Sequence, residues 1–337
     1  MKRTTRQWLW LIAISPFVCG AIVAALLALY AYQPLRLSQS PLQFSLMAGS
    51  SLKSAARQMN RAGVLGEPTP FVLLARLLGK AGSIKAGNYE IESPITPLEV
   101  LRKVTQGDYT QDVITLVEGW TFQQIRKALD EHPALRHDTA GLSDADIAQR
   151  LEIAAPTPEG WFFPDTYYFS KGTSDLAILR RAHRLMRTTL AGEWERRLPG
   201  LPLATPYEAL ILASIIEKET GQAAERRMIA AVFVNRLRLG MKLQTDPTVI
   251  YGMGASFDGN LRRRDLVADT PYNTYVHAGL PPTPIAVPGL ASIVAALNPT
   301  ESDALYFVSR GDGTSHFSRT LVEHDRAVTK YQRSGRR

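Results

Sequence analysis

The chain has 337 residues, of which 45% are hydrophobic, and a formal net charge of +8 at pH 7. This length allows roughly two globular domains of ~150 residues each, with a substantial core. The positive charge suggests an acidic partner, which could be nucleic acid, an anionic membrane surface or an anionic polymer. The sequence contains no zinc finger, RNA-binding aromatic signature or Gly-rich phosphate loop, so we expect no nucleic-acid partner.

Residues that could bind a metal or form a disulfide are few. The only cysteine is Cys19, and none of the six histidines belongs to an H-E-x-x-H pattern. We therefore expect a mechanism that uses no metal and no cofactor.

Residues 8–32 form an uncharged, mostly apolar run that follows Lys2, Arg3 and Arg6. About 25 apolar residues can cross a bilayer as a helix and exceed the apolar region of a cleaved signal peptide. The pattern predicts a single-pass signal anchor, with residues 1–7 in the cytoplasm and the rest of the chain across the membrane. The alternative is a buried core helix of a soluble protein.

A linker, residues 33–41, leads into a predicted small subdomain, residues 42–110. This subdomain begins with an alternating strand, a turn at Gly49 and a helix capped by Ser51.

The same layout recurs 70 residues later, where Gly119 matches the turn glycine and Thr121 matches the helix cap. Such strand-turn-helix units resemble the LysM type of glycan-binding module. Residues 111–337 are predicted to form a larger domain.

Three segments of the larger domain have a clear pattern. Asp144–Ile153 is predicted to be a short helix and Asp175–Leu198 a long basic helix. Between them, Glu159–Phe169 is unusually aromatic. This run fits either a core strand or loop, or a platform on which sugar rings stack.

The helix that ends in LASIIEKETG contains two acids, Glu217 and Glu219. Positions two apart on a helix point about 200° away from each other, so these side chains cannot serve the same pocket. Glu219 lies over Ile215 and Ile216, and this apolar contact would raise its pKa and let it donate a proton near neutral pH. An exposed helix end with ordinary surface glutamates is the alternative.

Polar side chains for a substrate follow this helix. Residues 241–254 are predicted to form a loop fixed by Pro247, with Gln244 and Asp246 on it. Tyr272 and Asn273 come next, before a proline-rich segment.

A glycine-containing hairpin and a final helix, Thr320–Tyr331, are predicted to close the chain. Glycoside hydrolysis ordinarily needs two carboxylates, and the candidates for a partner to Glu219 are Asp246, Asp265 and Asp269.

Several separate motifs, in the same order, resemble the YceG-like family of endolytic murein (peptidoglycan lytic) transglycosylases. They are SIIEKET, FVNRLRLGMKLQTDPTVIYGMG, YNTY, GLPPTPIAVPG, the Asn298–Pro299 pair, YFV at Tyr306 and the H-F pair at His316.

The resemblance implies an α+β fold with a transmembrane helix, a LysM-like α/β subdomain and a mixed α+β catalytic domain. It also implies cleavage inside peptidoglycan strands, between N-acetylmuramic acid and N-acetylglucosamine, to give 1,6-anhydro ends. Glu219 would be the catalytic residue, with Glu217 as the second choice, and the substrate-binding candidates are Glu217, Gln244, Asp246, Tyr272 and Asn273.

The same resemblance suggests a place in the cell. The catalytic domain would be periplasmic and anchored in the inner membrane, where the protein would terminate nascent strands beside penicillin-binding synthases.

Two other functions fit parts of the chain. Ser214 and Lys218 are four apart on the helix, close enough for the Ser/Lys dyad of a hydrolase or peptidase. Alternatively, the strand-turn-helix units alone would make a non-catalytic, membrane-anchored peptidoglycan-binding scaffold.

Overall fold

A computed structural model describes residues 20–47, 49–107, 112–219 and 222–333. The chain divides into two compact units. The first contains the described residues up to Asp112 together with Phe169–Lys171, and the second contains Val113–Tyr168 and the described residues from Gly172 onward. Helices and two-stranded sheets occur together, which confirms the predicted α+β class.

The predicted membrane anchor is described only in its second half. Residues 20–32 are helical (α1), whereas residues 1–19 lie outside the described ranges. Within those ranges, no helix has both the length and the apolar character needed to cross a bilayer. Membrane anchoring by residues 8–32 therefore stays a prediction.

The first unit is built on an antiparallel strand pair. Phe44 lies opposite Tyr89 in the register, and the two rings stack with their centroids 5.4 Å apart. Alternate residues of the first strand are buried, as expected for a strand that covers a core on one face. The elements are β1 (Leu42–Leu46), α2 (Leu52–Arg61), α3 (Pro68–Leu77), β2 (Gly87–Ile91) and α4 (Pro97–Gln106).

The second unit is mainly helical, with short strands at its edges. Strand β3 pairs with β5, β4 pairs with β6 in parallel, and β7 and β8 form an antiparallel hairpin. The remaining strands are β3 (Asp112–Thr115), β4 (Leu135–Arg136), β5 (Thr166–Phe169), β6 (Thr173–Ser174), β7 (Tyr306–Ser309) and β8 (Ser315–Ser318). The helices are α5 (Phe122–Asp130), α6 (Asp144–Arg150), α7 (Asp175–Glu195), α8 (Pro206–Glu219), α9 (Arg226–Arg238), α10 (Asp246–Met253), α11 (Leu290–Leu297) and α12 (Leu321–Val328).

The repeated strand-turn-helix layout is confirmed at both predicted places. Gly49 and Gly119 have φ angles of 75° and 77°, in the left-handed region that glycine adopts without steric cost. Ser51 and Thr121 then accept backbone N–H bonds at the starts of α2 and α5. A LysM-like identity for residues 42–110 does not follow from this layout and stays a prediction.

Helix α8 is the centre of the second unit. Its residues from Ala209 to Ile216 are all buried, and α8 packs against α7, α9, α10 and α11. A helix that is apolar on every side has to be enclosed by other elements. This enclosure fixes the position of its last turn, which ends at Glu219.

The loop predicted for residues 241–254 is wrong in its second half, because Asp246–Met253 forms helix α10. Pro247 lies in the first turn of that helix, where a proline N–H would have no helical partner to lose and the fixed φ suits the helix. The predicted helices at Asp144 and Asp175 begin as expected and end three residues early, at Arg150 and Glu195.

Candidate active site

An open cleft of about 940 Å³ lies in the second unit, beside the last turn of α8. The start of α10 forms one wall, and the β7–β8 hairpin and α12 form the other. Its lining includes Glu219, Gln222, Glu225, Arg236, Gln244, Asp246, Tyr275, Tyr306, Thr314, His324 and Gln332. The cleft therefore joins predicted site residues that are far apart in the sequence.

Glu219 has a mostly buried carboxyl group in this cleft. The Thr245 hydroxyl donates a 2.6 Å hydrogen bond to its Oε2. Burial raises the pKa of Glu219; the bond from Thr245 lowers it to a lesser extent, and the negative charge of Asp246 raises it further. Glu219 is thus suited to hold a proton, and no residue in the described ranges donates to its Oε1.

Thr245 owes its position to the unusual backbone of its neighbour, Gln244. The φ angle of Gln244 is 52°, which is uncommon for a residue other than glycine. Its backbone N–H donates to the Thr274 carbonyl oxygen, and its side-chain oxygen accepts a 3.3 Å bond from Arg236. The Arg236 guanidinium also donates to the carbonyl oxygens of residues 242, 243 and 305, so it ties this segment to the start of β7.

Asp246 is a second carboxylate in the same cleft. Its Oδ1 accepts a 2.6 Å hydrogen bond from the Tyr275 hydroxyl, and burial raises the pKa of Tyr275. Of the three carboxylates considered as partners for Glu219, only Asp246 lines the cleft. Asp265 accepts from the Arg262 backbone N–H, and Asp269 is paired with His277 at 2.7 Å.

Glu217 points elsewhere, as the helix geometry predicts. Its Oε2 accepts a 2.9 Å bond from the backbone N–H of Gly289, at the N-terminus of α11, and its Oε1 lies 3.9 Å from Arg226. Only 8% of its side chain is exposed, and it does not line the cleft. A carboxylate at a helix N-terminus stabilises that helix.

Tyr272 and Asn273 lie behind the cleft rather than along it. Asn273 is fully buried and donates to the carbonyl oxygens of Asp265 and Ala268 while accepting from the Tyr275 N–H. The Tyr272 hydroxyl bonds to that of Thr283 at 2.8 Å. These contacts shape the turn that presents Tyr275 to the cleft.

The Ser214 and Lys218 side chains do not form a dyad. Ser214 is fully buried, where its hydroxyl donates to the Ile211 carbonyl oxygen and accepts from the Ile285 N–H. The Lys218 ammonium group donates to the Gly119 carbonyl oxygen at 3.2 Å. The serine hydroxyl is therefore fully engaged in holding the proline-rich segment to α8.

The aromatic run 159–169 contributes to the core, in agreement with the first of its two predicted roles. Phe162, Tyr167 and Phe169 are buried, and Trp161 stacks on Tyr207 with centroids 5.7 Å apart. None of these rings lines the cleft.

Glu159, at the start of this run, is a second buried acid that the sequence did not single out. Only 4% of it is exposed, and its carboxyl group accepts from the backbone N–H groups of Phe122 and Gly160 and from the Tyr251 hydroxyl. Burial raises the pKa of Glu159 to about 7. Its position before a glycine gives no sequence signal of this enclosure.

One group of possible metal ligands occurs in the described part of the chain. Ligand atoms of Asp130, His137 and Asp175 lie within 4.8 Å of one another. The Asp175 carboxylate already accepts bonds from the backbone N–H groups of Asp138 and Thr139 and from the Thr139 hydroxyl. These bonds explain its burial without an ion.

Comparison with known proteins connects this cleft to a family. The model of the YceG-like family matches residues 44–330. The chain belongs to the YceG-like family. The crystal structure of a YceG-like protein from Listeria monocytogenes, 30% identical, has a TM-score of 0.54 over 86% of this chain and 99% of that one.

Two curated relatives of this YceG-like chain bear the name endolytic murein transglycosylase. The protein from Bacillus subtilis is 31% identical over 87% of this chain and 86% of its own length. The protein from Streptococcus pneumoniae D39 is 27% identical over 85% of this chain, which spans 57% of that longer relative.

Thr245, Arg236 and Tyr275 are the site residues that sequence reasoning did not select. A signal exists for Arg236, since an arginine within the apolar run of a buried helix needs polar partners. Thr245 and Tyr275 depend on a left-handed residue and on a turn, and no sequence pattern marks the direction of either side chain.

Proposed function

We propose that this protein is a lytic transglycosylase that cleaves glycosidic bonds inside peptidoglycan strands and leaves 1,6-anhydro-N-acetylmuramic acid ends. The observation that carries the proposal is the environment of Glu219, a buried carboxyl with a raised pKa whose hydrogen-bond partner, Thr245, is uncharged. The family assignment and the names of the two relatives support the same class of enzyme.

In the first step, Glu219 acts as the general acid. Thr245 holds Oε2, so the proton resides on Oε1 and passes to the glycosidic oxygen between the two sugars. The bond from this oxygen to the muramic C1 breaks, and C1 gains oxocarbenium character with assistance from the neighbouring N-acetyl group. The anionic Asp246 in the same cleft favours the positive charge that develops.

In the second step, the ionised Glu219 acts as the base. It takes the proton of the C6 hydroxyl of the same muramic acid, and that oxygen attacks C1 to close the 1,6-anhydro ring. An intramolecular nucleophile is already in place, so no activated water is needed. Asp246 raises the pKa of Glu219 and thereby also strengthens it as a base.

Substrate contacts divide the predicted residues into two sets. Gln244 and Asp246 line the cleft and would contact the sugars, and Tyr275 would do so beside Asp246. Tyr272, Asn273 and Glu217 would act through the shape of the surrounding segments.

The cellular setting is part of the same proposal. Residues 8–32 would anchor the protein in the inner membrane by a single pass, with the catalytic part in the periplasm. There it would cut nascent glycan strands beside penicillin-binding synthases and so terminate their elongation.

The products of digestion test the reaction. Purified full-length protein in detergent is incubated with glycan strands, and new ends are identified by mass spectrometry for the wild type, Glu219→Gln and Glu217→Gln. Anhydro ends that disappear only in Glu219→Gln are the expected result. Reducing ends would instead indicate a hydrolase that uses Glu219 and Asp246 as its two carboxylates, and absence of cleavage by the wild type would indicate a binding scaffold.

A further inference from the structure

A second cavity of the larger unit, separate in its lining from the cleft, is strongly basic. It has a volume of about 770 Å³ and lies along helix α7. Arg180, Arg184 and Arg187 line it from one face of that helix, and Arg150 lines it from the end of α6. Glu152 is the only acidic residue in its lining. We call this cavity the α7 groove.

The four arginines of the α7 groove are exposed, and none of them makes a hydrogen bond or a close ion pair within the described part of the chain. Arg150 interacts at longer range with Asp138 and Asp146. By contrast, Arg181 on the same helix donates a 2.7 Å bond to the Tyr168 carbonyl oxygen. The lining of the groove has four positive charges and a single carboxylate, so the arginines repel one another. The groove is therefore better suited to binding an anionic ligand than to stabilising the fold.

Spacing indicates that the ligand has more than one anionic group. Arg180 and Arg187 are seven residues apart, which is roughly 10 Å along a helix. A single carboxylate or phosphate cannot span that length, whereas an oligomer with anionic groups at intervals can meet two or three guanidinium groups in turn.

His183 lines the groove and contains an enclosed ring nitrogen without a hydrogen-bond partner in the described part of the chain. It is 5% exposed, its Nδ1 lies 3.3 Å from the Trp161 carbonyl oxygen, and its Nε2 has no partner. A carbonyl can only accept, so Nδ1 carries the proton of the neutral ring, and burial lowers the pKa of His183. Nε2 is then an acceptor that lacks a donor.

We infer that the α7 groove binds the acidic peptide branches of the glycan substrate. Such a peptide offers carboxylates to the arginines and, where it contains a diamino acid, an ammonium group to Glu152. A phosphate polymer would offer anions alone. This inference rests on the proposed function for the identity of the substrate, and it assigns the groove a role in selecting strands that carry peptides.

Titration calorimetry tests binding without relying on turnover. Full-length Glu219→Gln protein in detergent is titrated with glycan strands that carry acidic peptides, with the same strands after the peptides are removed, and with the released peptides. We expect peptide-bearing strands to bind about tenfold more tightly than stripped strands, the size of effect typical of charge-assisted contacts. The charge-neutralising variant Arg184→Gln/Arg187→Gln should abolish this preference and leave the affinity for stripped strands unchanged.

A matched control removes the same charge elsewhere in the same unit. Arg263 and Arg326 are exposed, and neither lines the groove or the cleft. The variant Arg263→Gln/Arg326→Gln should keep the tenfold preference. If both variants lose the preference for peptide-bearing strands equally, the preference depends only on net charge and the inference is overturned.

A vesicle-binding measurement and the cleavage assay distinguish a membrane-binding groove and a failed enzyme assignment from the inference. Binding of vesicles that contain anionic phospholipid, lost in Arg184→Gln/Arg187→Gln while peptides fail to bind, would assign the groove to a membrane surface and overturn the inference. If the wild type cleaves no strand, the proposed function fails, but the titrations still decide whether the groove recognises peptides.

Discussion

Glu159 and Glu219 are both buried acids with no ion pair to a described residue, and their hydrogen-bond partners differ. Glu159 is closed in by two backbone N–H groups and the Tyr251 hydroxyl. Among the described residues, Glu219 has one donor, Thr245, and it opens into the cleft. Burial raises the pKa of both acids.

This contrast shows that a raised pKa alone does not identify a catalytic acid. A general acid must also reach its substrate, which requires an oxygen that the protein leaves unoccupied. The Glu159 carboxyl meets its donors inside the fold, so we interpret it as a structural link between α5, the aromatic run and α10. The Glu219 carboxyl keeps one oxygen available for chemistry.

The largest expected effect is on turnover. Glu219→Gln should lower the rate of strand cleavage by roughly 10³-fold, because the amide can neither give nor take the proton. Glu159→Gln, measured at pH 5, should stay within about threefold of the wild type, since at that pH the acid it replaces is also uncharged. The measurement is the initial rate of anhydro-end formation, with circular dichroism to check folding. A large loss in Glu159→Gln alone would reverse the two roles.

The next effect concerns stability and pH at Glu159. Its pKa rises from 4.5 to about 7 on folding, so the folded protein binds this proton more tightly than the unfolded chain does. The protonated Glu159 makes its whole contribution to the free energy of unfolding below pH 4.5. This contribution declines by up to ~3 kcal/mol as the pH rises to about 7.

Denaturant unfolding between pH 4.5 and 8 measures this effect. The difference in free energy of unfolding between the wild type and Glu159→Gln should fall over the interval and level off above pH 7. A difference that does not change with pH would show that Glu159 keeps its ordinary ionisation in the folded protein.

Asp246→Asn should shift the pH dependence of cleavage. Asp246 raises the pKa of Glu219, so its removal lowers that pKa and leaves less of the acid protonated at neutral pH. The alkaline limb of the kcat/KM profile should move to lower pH, with about a tenfold loss of rate at pH 7. Asp269→Asn is the matched control, because Asp269 is paired with His277 outside the cleft.

Thr245→Val should move the alkaline limb of the kcat/KM profile to higher pH. The hydroxyl lowers the pKa of Glu219, so its loss raises that pKa and extends activity to higher pH. At the optimum, the rate should fall by about threefold to tenfold, because Oε2 is no longer held. Thr245→Ser, which keeps the hydroxyl, should restore the wild-type profile; an unchanged profile in Thr245→Val would contradict the assigned hydrogen bond.

The smallest effect is expected at Glu217. Glu217→Gln keeps an oxygen for the Gly289 N–H and loses the charge near Arg226, so the free energy of unfolding should fall by about 1 kcal/mol. Activity should remain within about threefold. Glu131→Gln, which removes an exposed pair with Lys127, provides the comparison and should cost less.

Patterns within single elements made much of the fold predictable. Helix caps at Ser51 and Thr121, the glycines at 49 and 119, and the apolar run before Glu219 each depend on a few adjacent residues, and the structure agrees with them. The divergence of Glu217 and Glu219 also follows from helix geometry alone.

Features that depend on tertiary contacts were out of reach. Pro247 supports the prediction of a loop at residues 241–254, although it lies in the first turn of α10, because proline suits both positions. Asn273 and Tyr272 resemble binding residues by type, but their side chains bond to nearby parts of the same turn region, such as Ala268 and Thr283. The enclosure of Glu159 needs α5 and α10 to meet beside it, and no local pattern records that meeting.

The direction of the peptide dipoles gives Glu219 and Asp246 different tasks. Glu219 is in the last turn of α8, where the partial negative charge of the helix end disfavours a carboxylate and helps to keep the proton on. Asp246 is in the first turn of α10, where the partial positive charge favours an anion. Opposite ends of two helices thus meet at one cleft, and the backbone itself distinguishes the proton donor from its charged neighbour.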